Sequence, residues 1–447
     1  MHRFESTAST TLAPASLERP PANAERIARD VFDRFQGWTA ISSLALIAVT
    51  WKLWTPQRVY PQVPVFASLC EAPGWLDWCA LGAVLTGLLA LLFTKRSLVS
   101  SLASALVLAG LVLLFSLDQH RFQPWAYELA LFCIVWLTCQ EQLGLRLMRL
   151  LLIGIYFYSA LGKFDFEFLH TVGQQMLNTI TSWVGVDATQ LPMGLRVWIV
   201  ATFPLVELAI AMGLWWRRTR RFAGWLALGL HFGLVAILGP FGMNHRFGVL
   251  LWNIQVAGQV FWLFLAKQTA TPEQAEVRLP TKISNWIGAA VIGAATILPI
   301  TERVELWDHW PSWALYAPHS SRVQVEVSPA AWERLPESLQ KLREMPLVEA
   351  DEIALWIPVP IDAWSLEALD TPIYPQARFQ LGVAEALVRK VQSDFQVRVT
   401  LLGTASRSTG ARNRKTFTNL RQLTQAQSRY WVNTHPRNLA IVSLKIR

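Results

Sequence analysis

One lysine of this sequence is placed for acid–base chemistry at the edge of a membrane. Lys163 ends the apolar segment Ile155-Tyr-Phe-Tyr-Ser-Ala-Leu-Gly. Withdrawal from water favours the neutral amine, and a neutral lysine can serve as a base near neutral pH. A structural alternative is that Lys163 extends to the interface and pairs with Glu167 four residues later.

Two further ionisable residues fall inside apolar segments. Glu207 lies in Phe203-Pro-Leu-Val-Glu-Leu and His231 lies in Leu228-Gly-Leu-His-Phe. Charged or titratable groups at membrane depth are costly and by default indicate a functional site. We expect both side chains to be paired within a helix bundle, and Glu207 and His231 are candidate partners for each other. Buried structural hydrogen bonds explain these two residues about as well as catalysis does.

Polar residues also gather in the connections that we place on the outer side of the membrane. Two of these connections, at 116–127 and 239–246, supply Asp118, His120, Trp125, Asn244 and His245. Lys163 comes from a third outer connection, and convergence of such groups on one face is more informative than any single one. For the first connection, the structural alternative is a helix end held by Asp118 and Arg121, with aromatic side chains at the interface.

The composition shows what must position these residues. The chain has 447 residues, of which 53% are apolar and 16% charged, with a mean hydropathy of +0.30. The low charge argues against a soluble enzyme and excludes disordered, collagenous and disulfide-framework proteins. Nine apolar segments approach the length of a membrane span: 38–54, 76–93, 98–117, 127–139, 147–161, 197–216, 222–238, 247–266 and 286–300. The fourth, fifth and ninth are short, and re-entrant or buried segments are the alternative for them.

The distribution of basic residues predicts the orientation. If the N-terminus is cytoplasmic, the inner segments carry sixteen Lys and Arg and the outer segments six. Cytoplasmic loops carry such an excess, so nine spans would leave the C-terminus exoplasmic. We therefore predict an integral protein of a bacterial inner or plasma membrane. Topology accounts for most of the basic excess, which argues against nucleic-acid binding.

The sequence divides into three regions on this basis. Residues 1–37 are predicted to be a cytoplasmic tail, partly helical from 23 to 35, and residues 38–300 an α-helical polytopic membrane bundle. Residues 301–447 are more polar, with predicted strands at 322–327, 353–358 and 395–402 and helices at 328–344 and 376–391. They predict a small exoplasmic α+β domain, with a loosely ordered basic arm at 407–429.

The four cysteines give little indication of redox or metal chemistry. Cys133 and Cys139 lie in or beside an apolar segment, whereas Cys70 and Cys79 lie outside and would form a disulfide only under oxidising conditions. The sequence contains no C-x-x-C, so neither a thioredoxin-like pair nor a thiolate zinc site is indicated. We predict no metal ligands from the sequence.

The segment Tyr156-Phe-Tyr-Ser-Ala-Leu-Gly-Lys-Phe-Asp165 resembles one in the vitamin K-dependent gamma-carboxylases and their bacterial relatives, the HTTM domain membrane proteins. Glu207 and the Leu-His-Phe of His231 follow in the same order, and the resemblance covers roughly 37–267. It implies an HTTM-like bundle in which Lys163 is the base that deprotonates a quinol such as vitamin K hydroquinone. His120, His231 and His245 would be further catalytic residues, and the groups around the cofactor would be Asp118, Trp125, Tyr156, Glu207 and Asn244.

The sequence departs from the carboxylases in two places. Trp125 stands where they have an active-site histidine, with His120 five residues earlier, and the C-terminal region does not resemble their substrate-binding region. These departures argue against glutamate carboxylation and leave quinol-linked or other lipid-phase redox chemistry.

The Gly-Lys helix ending and short helices are also similar to the DoxX/MauE-like membrane proteins. That resemblance implies a quinone-linked or thiol-redox role in the maturation of other proteins. A non-catalytic membrane scaffold that presents its C-terminal domain to an exported partner is the second hypothesis. Both hypotheses place the protein in a lipid bilayer. A transporter is disfavoured because no inverted repeat is evident.

Overall fold

The computed structural model describes residues 22–56, 59–93, 97–266, 282–343, 356–392 and 395–438. Helices dominate as far as residue 304, and a small sheet with its own helices follows. The first twelve helices are α1 (Ala22–Val49), α2 (Trp51–Trp54), α3 (Trp75–Phe93), α4 (Ser97–Leu117), α5 (Pro124–Thr138), α6 (Glu141–Lys163), α7 (Phe166–His170), α8 (Val172–Ser182), α9 (Met193–Trp215), α10 (Arg220–Leu238), α11 (Phe247–Val260) and α12 (Ile283–Ile297). A π-helical segment, Phe261–Leu265, continues α11, and a 3₁₀ segment, Leu298–Val304, continues α12.

Each of the nine predicted apolar segments is largely helical, but nine membrane spans are not confirmed. Seven helices in the described residues are long and apolar enough to cross a membrane: Trp75–Phe93, Leu98–Leu117, Glu141–Lys163, Met193–Trp215, Arg220–Leu238, Phe247–Leu265 and Ile283–Val304. Helix α5 has 15 residues, which is short for a span. Helix α1 runs without interruption from the predicted tail into the first apolar segment, and its first half is charged.

The two ends of the bundle have different neighbours. Near the start of α6, Glu141 pairs with Arg29 of α1 at 2.9 Å. At the other end of α6, the Leu161 carbonyl accepts a hydrogen bond from Arg407, and the Phe166 amide donates to the Arg407 carbonyl. The C-terminal region therefore packs on the end of the bundle that carries Lys163.

The C-terminal region contains a four-stranded antiparallel sheet in the order β2-β1-β3-β4. The strands are β1 (Arg322–Val327), β2 (Ile357–Val359), β3 (Val397–Leu402) and β4 (Arg414–Phe417), and the helices are α13 (Pro329–Trp332), α14 (Glu337–Gln340), α15 (Ile361–Leu369), α16 (Ala377–Val391) and α17 (Leu420–Gln427). Strand β1 alternates between exposed and buried residues, which is the pattern that predicted it. Helix α16 packs against β1, and its Gln380 side chain accepts a hydrogen bond from the Val323 amide.

Three sequence expectations for this region need correction. The helix predicted over 328–344 is two short helices: α13 ends at Trp332, and α14 begins directly after Pro336. A proline disfavours helical backbone at the residue before it, so one helix does not continue through this stretch, and residue 344 lies outside the described residues. The basic stretch 407–429 is not a loosely ordered arm: it contains β4 and α17, and Arg412 is nearly buried against the carbonyls of Pro318, Ser320 and Gly403. The strand predicted over 353–358 is observed at Ile357–Val359, and residues 353–355 lie outside the described residues.

All four cysteines are free in the structure, including Cys70 and Cys79. Cys70 instead lies in the contact between the bundle and the C-terminal region, where its carbonyl accepts a hydrogen bond from the Asn438 amide. Burial raises the pKa of the Cys70 thiol, although Asn433 beside it lowers that pKa. The thiol is therefore a poor nucleophile at neutral pH.

Candidate functional site

A cavity of about 270 Å³ lies among helices α6, α8, α9, α10 and α11. Its wall is largely apolar, and aromatic and aliphatic side chains such as Phe168, Phe203 and Leu234 supply most of it. Polar groups from four helices interrupt the wall. They include Tyr156, Ser159, Lys163, Glu207, His231 and Asn253.

Lys163 is the centre of the first polar group in the wall. Its Nζ lies 2.7 Å from both carboxylate oxygens of Glu207 and donates to the Ser159 hydroxyl at 2.7 Å. The side chains of Lys163 and Glu207 are 5% and 8% exposed, so the ion pair is almost removed from water. Such a pair is held by mutual attraction, and removal of either partner would leave an uncompensated charge.

A second polar group runs across the cavity wall from α6 to α11. The Tyr156 hydroxyl lies 2.6 Å from His231 Nε2, and His231 Nδ1 lies 3.0 Å from the Asn253 side-chain oxygen. Asn253 in turn donates from its amide nitrogen to the Val249 carbonyl at 2.9 Å. The Asn253 oxygen can only accept, so this arrangement favours the imidazole tautomer with the proton on Nδ1 and a tyrosine that donates to Nε2.

Helical spacing explains why α6 supplies so much of the site. Tyr156, Ser159 and Lys163 are three and four residues apart, so their side chains lie on one face of α6. Glu207 of α9 meets that face three residues after Pro204, which lies inside the same helix. The cavity is thus built where α6 faces α9 and α10.

The structure therefore brings together four of the nine residues selected from the sequence: Lys163, Tyr156, Glu207 and His231. Glu207 and His231 do not bond to each other; each has its own partner on α6. The pairing of Lys163 with Glu167 is not observed, because Glu167 faces the C-terminal region and bonds Arg412 at 3.2 Å. The catalytic and cofactor-binding roles of all nine remain predictions.

Three of the selected residues do not line the cavity, and one of them, His120, contacts the C-terminal region. His120 Nε2 lies 2.8 Å from the Pro372 carbonyl, and its ring packs between Tyr60 and Phe379. Asp118 caps the turn that holds His120 by accepting its backbone N–H. Trp125 is buried against Trp54, with ring centroids 5.3 Å apart.

The loop between α10 and α11 lies beside the cavity. Asn244 is exposed, with a positive φ of 51°, and it does not line the cavity. The ring of His245 packs on Tyr316, whose side chain does line it. Burial lowers the pKa of His245 and raises the pKa of Tyr316, so both side chains are neutral near pH 7.

Four lining residues with polar side-chain atoms were not predicted from the sequence: Ser159, Trp252, Asn253 and Tyr316. A signal existed for two of them. Ser159 stands four residues before Lys163, and Asn253 is a polar residue inside an apolar helix. Tyr316 comes from the C-terminal region, and no local pattern indicates that it approaches the bundle.

A separate cluster of possible metal ligands lies outside the cavity. The donor atoms of Glu302, His309 and His319 all lie within 4.8 Å of one another. All three residues fall within eighteen positions of the sequence, but their spacing matches no zinc motif, so no sequence pattern groups them.

The apolar helices and their polar-lined cavity define the class of this chain: it is an integral, multi-pass membrane protein. The family model of methylamine utilisation protein MauE matches residues 141–245. No curated protein and no solved structure matches the chain.

The matched residues run from the first residue of α6 to the loop after α10. They include Tyr156, Lys163, Glu207 and His231, and so cover most of the polar wall of the cavity. The match agrees with the resemblance to DoxX/MauE-like proteins, whereas the resemblance to HTTM proteins and carboxylases receives no support from it.

The arrangement can exchange protons with a bound molecule and favours an apolar one. The lysine–glutamate pair and the tyrosine–histidine pair can each exchange a proton with a bound molecule that has oxygen or nitrogen groups. The apolar wall favours a molecule that enters from the lipid phase.

Proposed function

We propose that this protein is a redox-associated membrane assembly factor that presents its C-terminal region, residues 301–447, to an exported protein. In this proposal the N-terminus is cytoplasmic and the C-terminal region exoplasmic, as the distribution of basic residues predicts. The match to MauE supports the proposal, because the DoxX/MauE-like resemblance implies a maturation role.

The observation that carries the proposal is the fixed placement of the C-terminal region on the bundle. Arg437 donates to Asp77 at 2.8 Å, and Asp77 also lies 2.6 Å from Arg121. All three side chains are fully buried. A unit held this firmly at one end of the bundle has a defined outward surface for a partner.

The C-terminal region has an exposed aromatic residue suited to partner contact. Trp431 is 92% exposed, next to the half-buried Tyr430. Exposed tryptophan is costly in water and is enriched where proteins bind one another. Lys341, on the C-terminal side of α14, is exposed on the same region and has no aromatic residue beside it in the sequence, so it provides a matched control position.

The test is site-specific photo-crosslinking in intact cells, with benzoylphenylalanine at position 431 or at position 341. We expect position 431 to capture an exported protein that position 341 does not capture. The captured protein should fail to reach its mature, correctly oxidised form in a strain without this chain and should recover when the wild-type chain is restored. Capture of membrane lipids alone, or a captured protein that matures normally without the chain, would contradict the proposal.

A second candidate function rests on the cavity itself. An apolar cavity with two proton-exchanging pairs fits a quinol-class ligand, and Lys163 is then the group that takes its proton. In the ion pair Lys163 already carries a proton, so it would first have to pass that proton to the Glu207 carboxylate. The neutral amine would then accept the proton of the quinol, which would leave a quinolate anion beside the lysine ammonium.

Binding of a short-chain quinone decides this second candidate. Trp252 lines the cavity, so a bound quinone should quench tryptophan fluorescence in the purified protein. Leu234→Trp, which fills the apolar wall, should weaken that quenching at least tenfold, whereas the exposed Trp198→Leu should leave the affinity unchanged. Equal affinities in wild type and Leu234→Trp would exclude the cavity as the quinone site.

A further inference from the structure

Glu302, His309 and His319 form a compact buried cluster between the end of α12 and the sheet. His309 Nδ1 lies 2.7 Å from Glu302 Oε1, and His319 Nε2 lies 2.9 Å from the same oxygen. The side chains of His309 and His319 are 3% and 0% exposed, and that of Glu302 is 10% exposed. The cluster is therefore largely shielded from water, with the carboxylate as its most accessible member.

Three different pieces of backbone hold the cluster. Glu302 belongs to the 3₁₀ segment Leu298–Val304, which ends at Glu305 in a left-handed conformation with φ of 60°. The His309 carbonyl accepts from the Ala314 amide, and the His319 carbonyl accepts from the Ala405 amide of the loop after β3. The donor atoms are thus positioned before any ion binds, which lowers the cost of ordering them.

The Glu302 carboxylate contacts the two imidazoles, whereas the arginine next to it in the sequence has a different partner. The neighbouring Arg303 is paired with Asp165 at 2.6 Å. Among the described residues, the close ionic contacts of Glu302 are those with His309 and His319. A carboxylate and two imidazole nitrogens converge on one point, where a cation would replace the two protons that now bridge them.

The donor set and its dimensions fit a first-row transition metal ion. Two imidazoles and one carboxylate form a known zinc ligand set, with bonds of about 2.0–2.2 Å and a fourth position open to water. Ligand atoms of a tetrahedral zinc ion with such bonds lie about 3.3 Å apart. The imidazole nitrogens lie 2.7, 2.9 and 3.0 Å from the Glu302 oxygens, so these nitrogen–oxygen distances would have to open by only a few tenths of an ångström to admit the ion. All the donor atoms, including the two nitrogens, lie within 4.8 Å of one another.

We propose that Glu302, His309 and His319 bind one divalent transition metal ion, with Zn²⁺ as the best match. The site is independent of the intramembrane cavity and of the proposed partner surface. It would tie the end of α12 to the start of β1 and so fix the C-terminal region on the bundle.

The experiment measures metal binding to the full-length protein, purified in detergent with an affinity tag that contains no histidine. After chelator treatment, reloading with Zn²⁺ and desalting, we expect one equivalent of zinc in the wild type by elemental mass spectrometry. His309→Ala and His319→Ala should each lower zinc affinity at least tenfold, and Glu302→Gln should lower it as well.

A matched control comes from a second histidine–glutamate pair in the same region. His435 Nδ1 lies 2.8 Å from Glu385 Oε2, but among the described residues that pair has no second histidine. His435→Ala should therefore keep the full equivalent of zinc. Equal zinc content in wild type and in the His309→Ala/His319→Ala double variant would overturn the proposal.

A readout on the wild type alone guards against variants that fail to fold. Co²⁺ in a site with two imidazoles and one carboxylate should give visible d–d absorption, and this absorption should disappear when Zn²⁺ displaces the Co²⁺. Absence of this absorption in wild-type protein loaded with Co²⁺, or absence of bound zinc after reloading, would also overturn the proposal.

Discussion

The pairing of Lys163 with Glu207 is the feature of the site with the largest energetic consequence. Two charges that are 5% and 8% exposed have lost most of their hydration, and their stability depends on each other. Removing one partner from such a pair typically costs about 3–5 kcal/mol, whereas replacing both by apolar residues is often neutral.

This contrast gives a prediction for three variants. Lys163→Met and Glu207→Leu should each lower the apparent melting temperature of the detergent-solubilised protein clearly, with a loss of about 3–5 kcal/mol each. The Lys163→Met/Glu207→Leu double variant should recover most of that loss, because no unpaired charge remains. Tryptophan fluorescence during heating provides the measurement.

An additive result would contradict this account of the pair. If the double variant lost the sum of the two single losses, the side chains would act independently. Arg29, which is exposed and pairs with Glu141 at 2.9 Å, supplies a comparison: Arg29→Met should cost no more than about 1 kcal/mol, since an exposed pair is weak.

Residue chemistry indicated part of the site and could not indicate its geometry. Lys163, Glu207 and His231 were evident because ionisable groups in apolar segments are rare. Their partners were not evident. Lys163 has two candidate acids, Glu167 four residues later and Glu207 on another helix, and only the packing of α6 on α9 favours Glu207. His120 attracted attention by its neighbours in sequence, yet its contact is with Pro372, 252 residues away.

At the scale of elements, the close packing of α3 on α4 depends on glycine. A side chain at Gly87 of α3 would place its Cβ 2.8 Å from the Ala103 carbonyl oxygen of α4 and 2.6 Å from Val107 Cγ2. Gly110 of α4 makes the reciprocal approach to the Ala80 carbonyl oxygen, at 2.7 Å. Such small residues allow helices in membranes to approach closely.

Gly87→Leu should therefore separate α3 from α4 and destabilise the protein by about 1–3 kcal/mol or more, because the obstructing atom is backbone. Gly82 lies on the same helix, and a Cβ at that position would meet no atom within 4 Å, so Gly82→Leu is the matched control and should be nearly neutral. The check is the apparent melting temperature of both variants. Equal losses would show that helix propensity or lipid contact, and not the contact of α3 with α4, determines the effect.

Elements were predicted well where a single pattern determines them. Apolar segments long enough for a membrane helix predicted the bundle helices, and the alternation of β1 predicted the centre of the sheet. The basic stretch 407–429 was misjudged because its order comes from outside it: β4 pairs with β3, and Arg412 reaches three carbonyls on other segments. The composition of a segment does not indicate such contacts with other segments.

At the scale of the whole molecule, buried charge joins the C-terminal region to the bundle. Beyond its bond to Asp77, Arg437 donates to the carbonyls of Ala72 and Pro73 and to Gln62. Backbone bonds reinforce this joint, since the amides of Asn433, Arg437 and Asn438 donate to the carbonyls of Val65, Gln62 and Cys70. No sequence pattern indicated this joint, because Arg437 and Asp77 are 360 residues apart.

Arg437→Met should loosen this joint while leaving each side folded. The variant leaves Asp77 with Arg121 alone and the carbonyls of Ala72 and Pro73 without their donor, a loss of about 3–5 kcal/mol for a buried pair. Hydrogen exchange is the measurement: the amides of Asn433 and Asn438 should exchange at least tenfold faster than in wild type.

The sheet provides the internal reference for this experiment. Strands β1 and β3 pair over six residues each and pack on α16, so their amides should keep wild-type protection. Arg429, which is exposed on the same region, gives the control variant Arg429→Met, and it should leave exchange at Asn433 unchanged. If Arg437→Met accelerated exchange in β1 and β3 as much as at Asn433, the C-terminal region would depend on the bundle for its own folding. If no amide changed, the buried arginine would not be what holds the two parts together.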